Sequence, residues 1–183
     1  RNGFRAGFDA SWEIDLFGRI GRTIEAARAD RDAVAATRDR VAVTVAAETT
    51  RAYTEACTLA EASAVARQSL DIAQRGYDIL TAQERAGSAS RLDVERSAAA
   101  LANARAALPP LEGARQFSLF ELAALLGLPP AQVPEEARQC LKTPQPARPI
   151  PVGDGQGLIA RRPDVREAER QLAGDTARIG VAT

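Results

Sequence analysis

The side chains able to do chemistry are few in kind. There is no histidine, so a histidine-based catalytic triad is impossible and the commonest zinc ligand is missing. The two cysteines, Cys57 and Cys140, match no metal-binding spacing. Carboxylates alone can still do acid-base work, but here they are scattered along helical faces, the usual pattern of solvated charge. No glycine-rich phosphate loop or redox motif appears. The reading is therefore not an enzyme: catalytic residues none, metal none, cofactors none. The 24 basic and 24 acidic side chains cancel without a long run of either sign, so nucleic acid is not an expected partner.

The elements that position these groups are dominated by one stretch, residues 19–86, which contains no proline and no glycine between Gly21 and Gly76. Nothing in it stops a helix, and at 1.5 Å per residue it predicts a rod of about 100 Å, far longer than an ordinary globular helix. Steps of four and three from Ile20 pick out Ile24, Ala27, Val34, Val41, Val45, Ala52, Leu59, Ala62, Ala66, Ala73 and Leu80. Arg31, Arg38, Glu48, Glu55, Ser69 and Gly76 interrupt this seam. A second row runs through Ala26, Ala29, Ala33, Ala36, Val43, Ala47, Thr50, Cys57 and Ala64. Two stripes imply two neighbours, and their alanines let those neighbours approach closely. Only eight aromatic residues and no methionine leave little bulk for a compact core.

Before the helix, residues 4–16 alternate strictly, with Phe4, Ala6, Phe8, Ala10, Trp12, Ile14 and Leu16 on one side and polar residues or Gly7 on the other. That is the pattern of a strand, and its length suits a transmembrane barrel with Phe8, Trp12 and Ile14 at the membrane interface. An ordinary amphipathic strand has the same alternation. A lone strand cannot span a membrane with unpaired edges, so its partners must come from elsewhere. No apolar run is long enough for a transmembrane helix.

After the helix comes G-S-A-S-R-L-D-V. Gly87 caps the first helix, and Ser90 with Asp93 forms a capping-box start for a second one running back to about residue 126. Pro109-Pro110 predicts a kink or a restart inside the returning helix. Residues 127–155 hold seven of the ten prolines and read as a connector, with short helices expected at 134–140 and 156–161. Pro163 opens a last helix to about residue 179, and residues 180–183 are expected to begin another strand. The segments are thus 1–18 for the strand, 19–126 for the long helical hairpin with its tip at 87–93, 127–162 for the proline-rich connector and 163–183 for the helix leading to the next strand. The fold class is mainly α, a long antiparallel helical hairpin with a short N-terminal strand.

The blocks W-E-I-D-L-F-G-R, G-S-A-S-R-L-D-V, A-L-P-P-L-E, L-L-G-L-P-P and R-R-P-D-V-R-E-A-E-R-Q-L-A, the last followed by A-R-I-G-V-A-T, occur in that order. In them the chain resembles the outer membrane efflux protein family, the TolC-like channels, and especially its NodT-type lipoprotein branch. The resemblance implies homotrimers whose protomers each give four strands to a shared outer-membrane β-barrel and their helices to a periplasmic α-barrel. It further implies two repeats per protomer, of which about one is present here. It places the chain in the outer membrane and periplasm of a Gram-negative bacterium, with a periplasmic adaptor, the membrane fusion protein, and an inner-membrane pump as partners. The tip residues Gly87, Ser88, Ala89, Ser90, Arg91 and Leu92 become the expected adaptor contact. Neither cysteine is the lipid-carrying one of that branch, and the family's gate residues belong mostly to the other repeat. Gly174-Asp175-Thr176 departs from the small, helix-friendly residues favoured there, which puts the continuity of the last helix in question.

If the turn centres near residue 89, Phe120 and Glu121 lie opposite Cys57, and Cys140 follows a few residues later. Both thiols then fall at one level of the rod. In an oxidising periplasm they form either a disulfide or a pair consisting of a buried Cys57 and a free, exposed Cys140. The functional expectation is a passive duct component of a tripartite efflux system that exports small molecules or drugs. The alternative is a soluble periplasmic coiled-coil hairpin acting as an adaptor or interaction module, which would have no need of the alternating strand.

Overall fold

The computed structural model describes residues 3–12, 14–148 and 153–182. Its secondary structure is helical: α1 (Arg19–Arg85), α2 (Arg91–Ala106), α3 (Leu108–Leu125), a 3-10 turn (Pro130–Gln132), α4 (Glu135–Arg138), α5 (Gly155–Arg161) and α6 (Pro163–Ala182). These fall into two units. One takes the described residues up to Val43 and from Gly153 onward, and the other takes Thr44 to Arg148.

α1 is one uninterrupted helix because its sequence offers no breaker and its start is satisfied by a side chain. The Asp15 carboxylate accepts from the backbone N–H groups of Ile20 at 3.1 Å and Gly21 at 3.0 Å, and Gly18 takes the positive φ of 76° that turns the chain into it. An anion at a helix N-terminus also suits the helix dipole. Ion pairs a turn apart, such as Arg22 with Glu25 and Arg51 with Glu48 and Glu55, line its exposed faces.

In the first unit α6 runs antiparallel to α1. Arg178 bonds Asp30 at 2.6 Å, while Arg166 lies 3.8 Å from Asp39 and Arg40 bonds Glu167 at 3.0 Å, so from Asp30 to residues 39–40 of α1 the α6 partner falls from 178 to 166–167. Between these pairs lies a stripe of small buried residues, Ala26, Ala29, Ala33 and Ala36 on α1 and Gly174 and Ala177 on α6. The stripe belongs to the second of the two rows. α6 passes through Gly174-Asp175-Thr176 without a break, and Gly174 is buried in close approach to α1.

The second unit repeats the antiparallel pairing with α2 and α3. Arg105 donates to Gln74 at 2.6 Å, Arg67 to Glu112 at 2.6 Å, and Arg51 also reaches Glu121. Its core joins Ala52 and Ala56 of α1 to Leu119, Leu122 and Ala123 of α3 and to Val133 and Ala137 of the connector. Pro109 and Pro110 sit in the first turn of α3, where missing backbone donors cost nothing. The returning helix is accordingly two helices divided at Ala107.

Two expectations are corrected. The described residues of the 4–16 segment form no strand, and Phe4, Phe8, Trp12 and Ile14 are exposed. A strand exists by exchanging hydrogen bonds with a neighbour, and the described residues bring none to the segment. Glu13 lies outside the described residues, as do residues 149–152 of the connector. At the other end α6 continues to Ala182 instead of yielding to a strand at Gly180, because with no neighbouring strand among the described residues the helix satisfies its own backbone. Thr183 is outside the described residues. The connector is also more ordered than its prolines suggest, since Val133 and Ala137 belong to the core.

Gly174 gives the first prediction. A Cβ there would lie 3.1 Å from Asp30 Oδ1 and 3.5 Å from the Ala29 Cβ, and Asp30 is held by Arg178. Gly174→Leu is expected to cost about 1–3 kcal/mol as α6 is forced from α1. Gly113→Ala in α3, with nothing within 4 Å of the new methyl, is expected to gain up to about 1 kcal/mol. Urea unfolding followed by circular dichroism checks both, and equal effects would refute the close-approach argument.

Candidate functional site

The tip is built from two complementary helix ends. Gly87, with φ 76°, lets its own N–H reach the Glu84 carbonyl at 2.9 Å and the Ser88 N–H reach the Gln83 carbonyl at 2.8 Å. These bonds close the last turn after α1 in the manner of a left-handed glycine cap. Ser88 Oγ donates to the same Gln83 carbonyl at 3.0 Å. Ser90 then caps α2: its Oγ accepts from the Asp93 N–H at 3.2 Å and donates to the Asp93 carboxylate at 2.6 Å, and that carboxylate accepts from the Ser90 N–H at 3.4 Å.

The hydroxyls of Ser88 and Ser90 are thus engaged in the caps, and the side chains of Arg91 and Leu92 project beside them. Gly87, Ser88, Ser90, Arg91 and Leu92 are exposed, Ala89 is half-buried, and Leu92 keeps 57 % of its surface in water. An apolar side chain held out on a capped turn, beside the Arg91 cation and its loose 3.8 Å pair with Glu95, makes a small rigid contact surface. Among the described residues no group of three or more cysteines and carboxylates converges to hold a metal ion, and no helix is long and apolar enough to cross a membrane.

A second constellation lies in the connector. Cys57 and Cys140 are joined in the structure, their Cα atoms 5.1 Å apart, and Cys57 is fully buried. Beside them the Thr143 N–H and hydroxyl donate to one Glu61 carboxylate oxygen at 3.1 and 2.9 Å, and the Thr143 hydroxyl lies 3.1 Å from that of Thr58. Arg115 donates to the Arg138 carbonyl at 2.6 Å, and Arg138 closes its own loop on the Ala131 carbonyl at 2.9 Å. Sequence reasoning did not find the Glu61–Thr143 bond or the Asp15 cap. Each spans a distance or a turn whose geometry no periodicity encodes, although an acidic residue a few positions before a helix start was a visible signal for Asp15.

These bonds set a pH dependence. The Ser90 hydroxyl, aided by its N–H, holds the Asp93 carboxyl below the ordinary carboxylate range. The Thr143 N–H and then its hydroxyl do the same for Glu61. Because both are depressed in the folded chain, their stabilisation is complete above the unfolded pKa of roughly 4 and is lost as pH falls through the folded values. Amide exchange at Asp93 and Thr143, corrected for intrinsic rates, is therefore expected to quicken relative to the middle of α1 on acidification from about pH 6 to about pH 3. Unchanged relative protection would show that neither carboxylate helps hold its turn.

Comparison with known proteins places this arrangement. The model of the outer membrane efflux protein family matches residues 2–128. Nodulation protein T of Rhizobium leguminosarum bv. viciae is 33 % identical over 172 residues, which cover 94 % of this chain and 36 % of that protein. The pyoverdine export outer membrane protein OpmQ of Pseudomonas aeruginosa is 32 % identical over 181 residues, covering 98 % of this chain and 37 % of its own length. Among solved structures, the outer-membrane channel OprN superposes with a TM-score of 0.88 at 33 % identity, over 93 % of this chain and 38 % of that one. The chain thus spans a little over a third of the length of these relatives. With the family model running from the first residues through the hairpin, its tip and both helices of the return, this chain belongs to the outer membrane efflux protein family.

Proposed function

We propose that the chain is a length of wall from a passive export duct in the outer membrane and periplasm of a Gram-negative bacterium, and that its tip docks an adaptor of a tripartite pump. The observation that carries the reading is the apolar surface that α1 leaves uncovered in each unit. Val34, Val41, Val65, Ile72 and Ile79 each expose between 50 % and 70 % of their surface, while the small-residue stripe on the same helix is covered. A helix with one face packed and another apolar and open is suited to neighbours on both sides, as in a barrel of helices from a homotrimer.

The residues 4–16 fit the same reading. Their alternation, with Phe8, Trp12 and Ile14 exposed, suits a strand that forms only beside strands of the remaining sequence and of other protomers, with those side chains at the membrane interface. Export then requires no catalysis by this chain; energy and most substrate selection belong to the inner-membrane pump.

At the tip, Gly87 makes the turn, while Ser88, Ala89, Ser90, Arg91 and Leu92 offer contact. Replacing Ser88 or Leu92 with Asp in the complete protein is expected to reduce export, read as lowered drug tolerance of the cells, while trimers still form on native gels. Wild-type tolerance in both variants would count against adaptor docking at this tip.

A further inference from the structure

The two cysteines lie in different parts of the second unit, 83 residues apart in sequence, and they are not equivalent. Cys57 sits on α1 with no surface exposed, next to the core residue Ala56. Cys140 follows α4 in the connector and is partly exposed. Around it the connector is held by polar bonds on one side, through Thr143 to Glu61 and Thr58, and by apolar packing on the other, through Val133 and Ala137 against Leu119, Leu122, Ala52 and Ala56. Residues 130–143 thus form a flap across α1 and α3, and the disulfide is its covalent fastening.

We propose that this chain is a substrate of a thiol-oxidising disulfide donor, that Cys140 is the sulfur which meets the donor, and that closing the bond onto Cys57 locks the flap. Thiol–disulfide exchange needs a thiolate that the incoming disulfide can reach in line, and of the two cysteines only Cys140 keeps surface in water in the folded chain. In the first step the Cys140 thiolate attacks one sulfur of the donor disulfide. The donor S–S bond breaks, a mixed disulfide forms on Cys140, and the departing donor thiolate takes up the proton lost from Cys140. In the second step the Cys57 thiolate attacks Cys140 Sγ and expels the other donor sulfur, which takes up the proton lost from Cys57. Two thiols become one disulfide in the chain, and two electrons and two protons end on the donor as its dithiol or as two monothiols. The burial of Cys57 suits it to the second step, in which the attacked sulfur is delivered by the flap itself.

The inference takes only the oxidising compartment from the proposed function. Capture rates in vitro do not depend on that reading, so the two fail separately. With oxidised glutathione as the probe and native conditions, the Cys57→Ser variant, which keeps Cys140, is expected to form a mixed disulfide at least about tenfold faster than Cys140→Ser, which keeps the buried thiol. Equal rates, or faster capture by Cys57, would overturn the order of attack. In the wild-type chain, reduction by a phosphine is expected to raise amide exchange in residues 130–143 while leaving residues 91–100 unchanged. No change in the flap would overturn the lock. This second measurement needs no variant and remains decisive where a serine replacement misfolds. Two alkylatable thiols in wild-type protein isolated from an oxidising compartment would overturn the whole proposal.

Discussion

The structure depends on small residues meeting small residues along α1. Ala26, Ala29, Ala33 and Ala36 in one unit, and Ala52, Ala56 and Ala60 in the other, bury almost all of their surface, but each methyl removes little area from water. Such an interface gains from close approach and dispersion more than from area, and it is intolerant of anything that keeps the backbones apart. Gly174 facing Ala29 and Asp30 expresses that constraint at its strictest. An alanine stripe is also nearly uniform along its length, so it fixes distance better than register. Register is supplied by the cross-helix pairs that flank the stripe, Asp30 with Arg178, Arg40 with Glu167 and Arg67 with Glu112. Exposed as they are, these pairs contribute little to stability and act chiefly by making a one-turn slip lose its partners.

The second unit solves the same problem by adding bulk. Leu119 and Leu122 bring larger side chains to the alanines of α1, and the connector folds over them with Val133 and Ala137. A proline-rich segment is an economical cover, because its backbone is already restricted and loses less entropy on docking than a flexible loop of equal length. Its docking is directional: Thr143 satisfies Glu61, Arg115 holds the Arg138 carbonyl, and Cys140 meets Cys57.

What was legible in the sequence follows from how local each signal is. The extent of α1, the glycine turn at Gly87 and the Ser90–Asp93 capping box are dictated within a few residues and appear where the sequence places them, and of the kink or restart expected at Pro109-Pro110 the structure has the restart, at Leu108. Of the second row, Ala26, Ala29, Ala33, Ala36 and Cys57 are buried, whereas Val43, Ala47, Thr50 and Ala64 are exposed, so that row is a packed face only in part. The first seam is uncovered at Ile24, Val34, Val41 and Val45 but buried at Ala52, since periodicity reveals a face without saying where along it a neighbour packs. The Glu61–Thr143 bond and the core role of Val133 were beyond reach because they depend on how a loop returns through space.

The same distinction explains the N-terminal segment. Alternation of Phe4, Phe8 and Trp12 with polar residues is a statement about two environments, one apolar and one wet, and a single chain supplies neither an apolar solvent nor a neighbouring strand. The apolar side chains therefore stand exposed, as do Val34, Val41 and Val65 on α1. Both observations have one physical source. A sequence whose apolar pattern exceeds what its own fold can bury carries the imprint of surroundings larger than itself. On the proposed reading, the uncovered valines and isoleucines await further helices, and the uncovered aromatics an apolar surrounding.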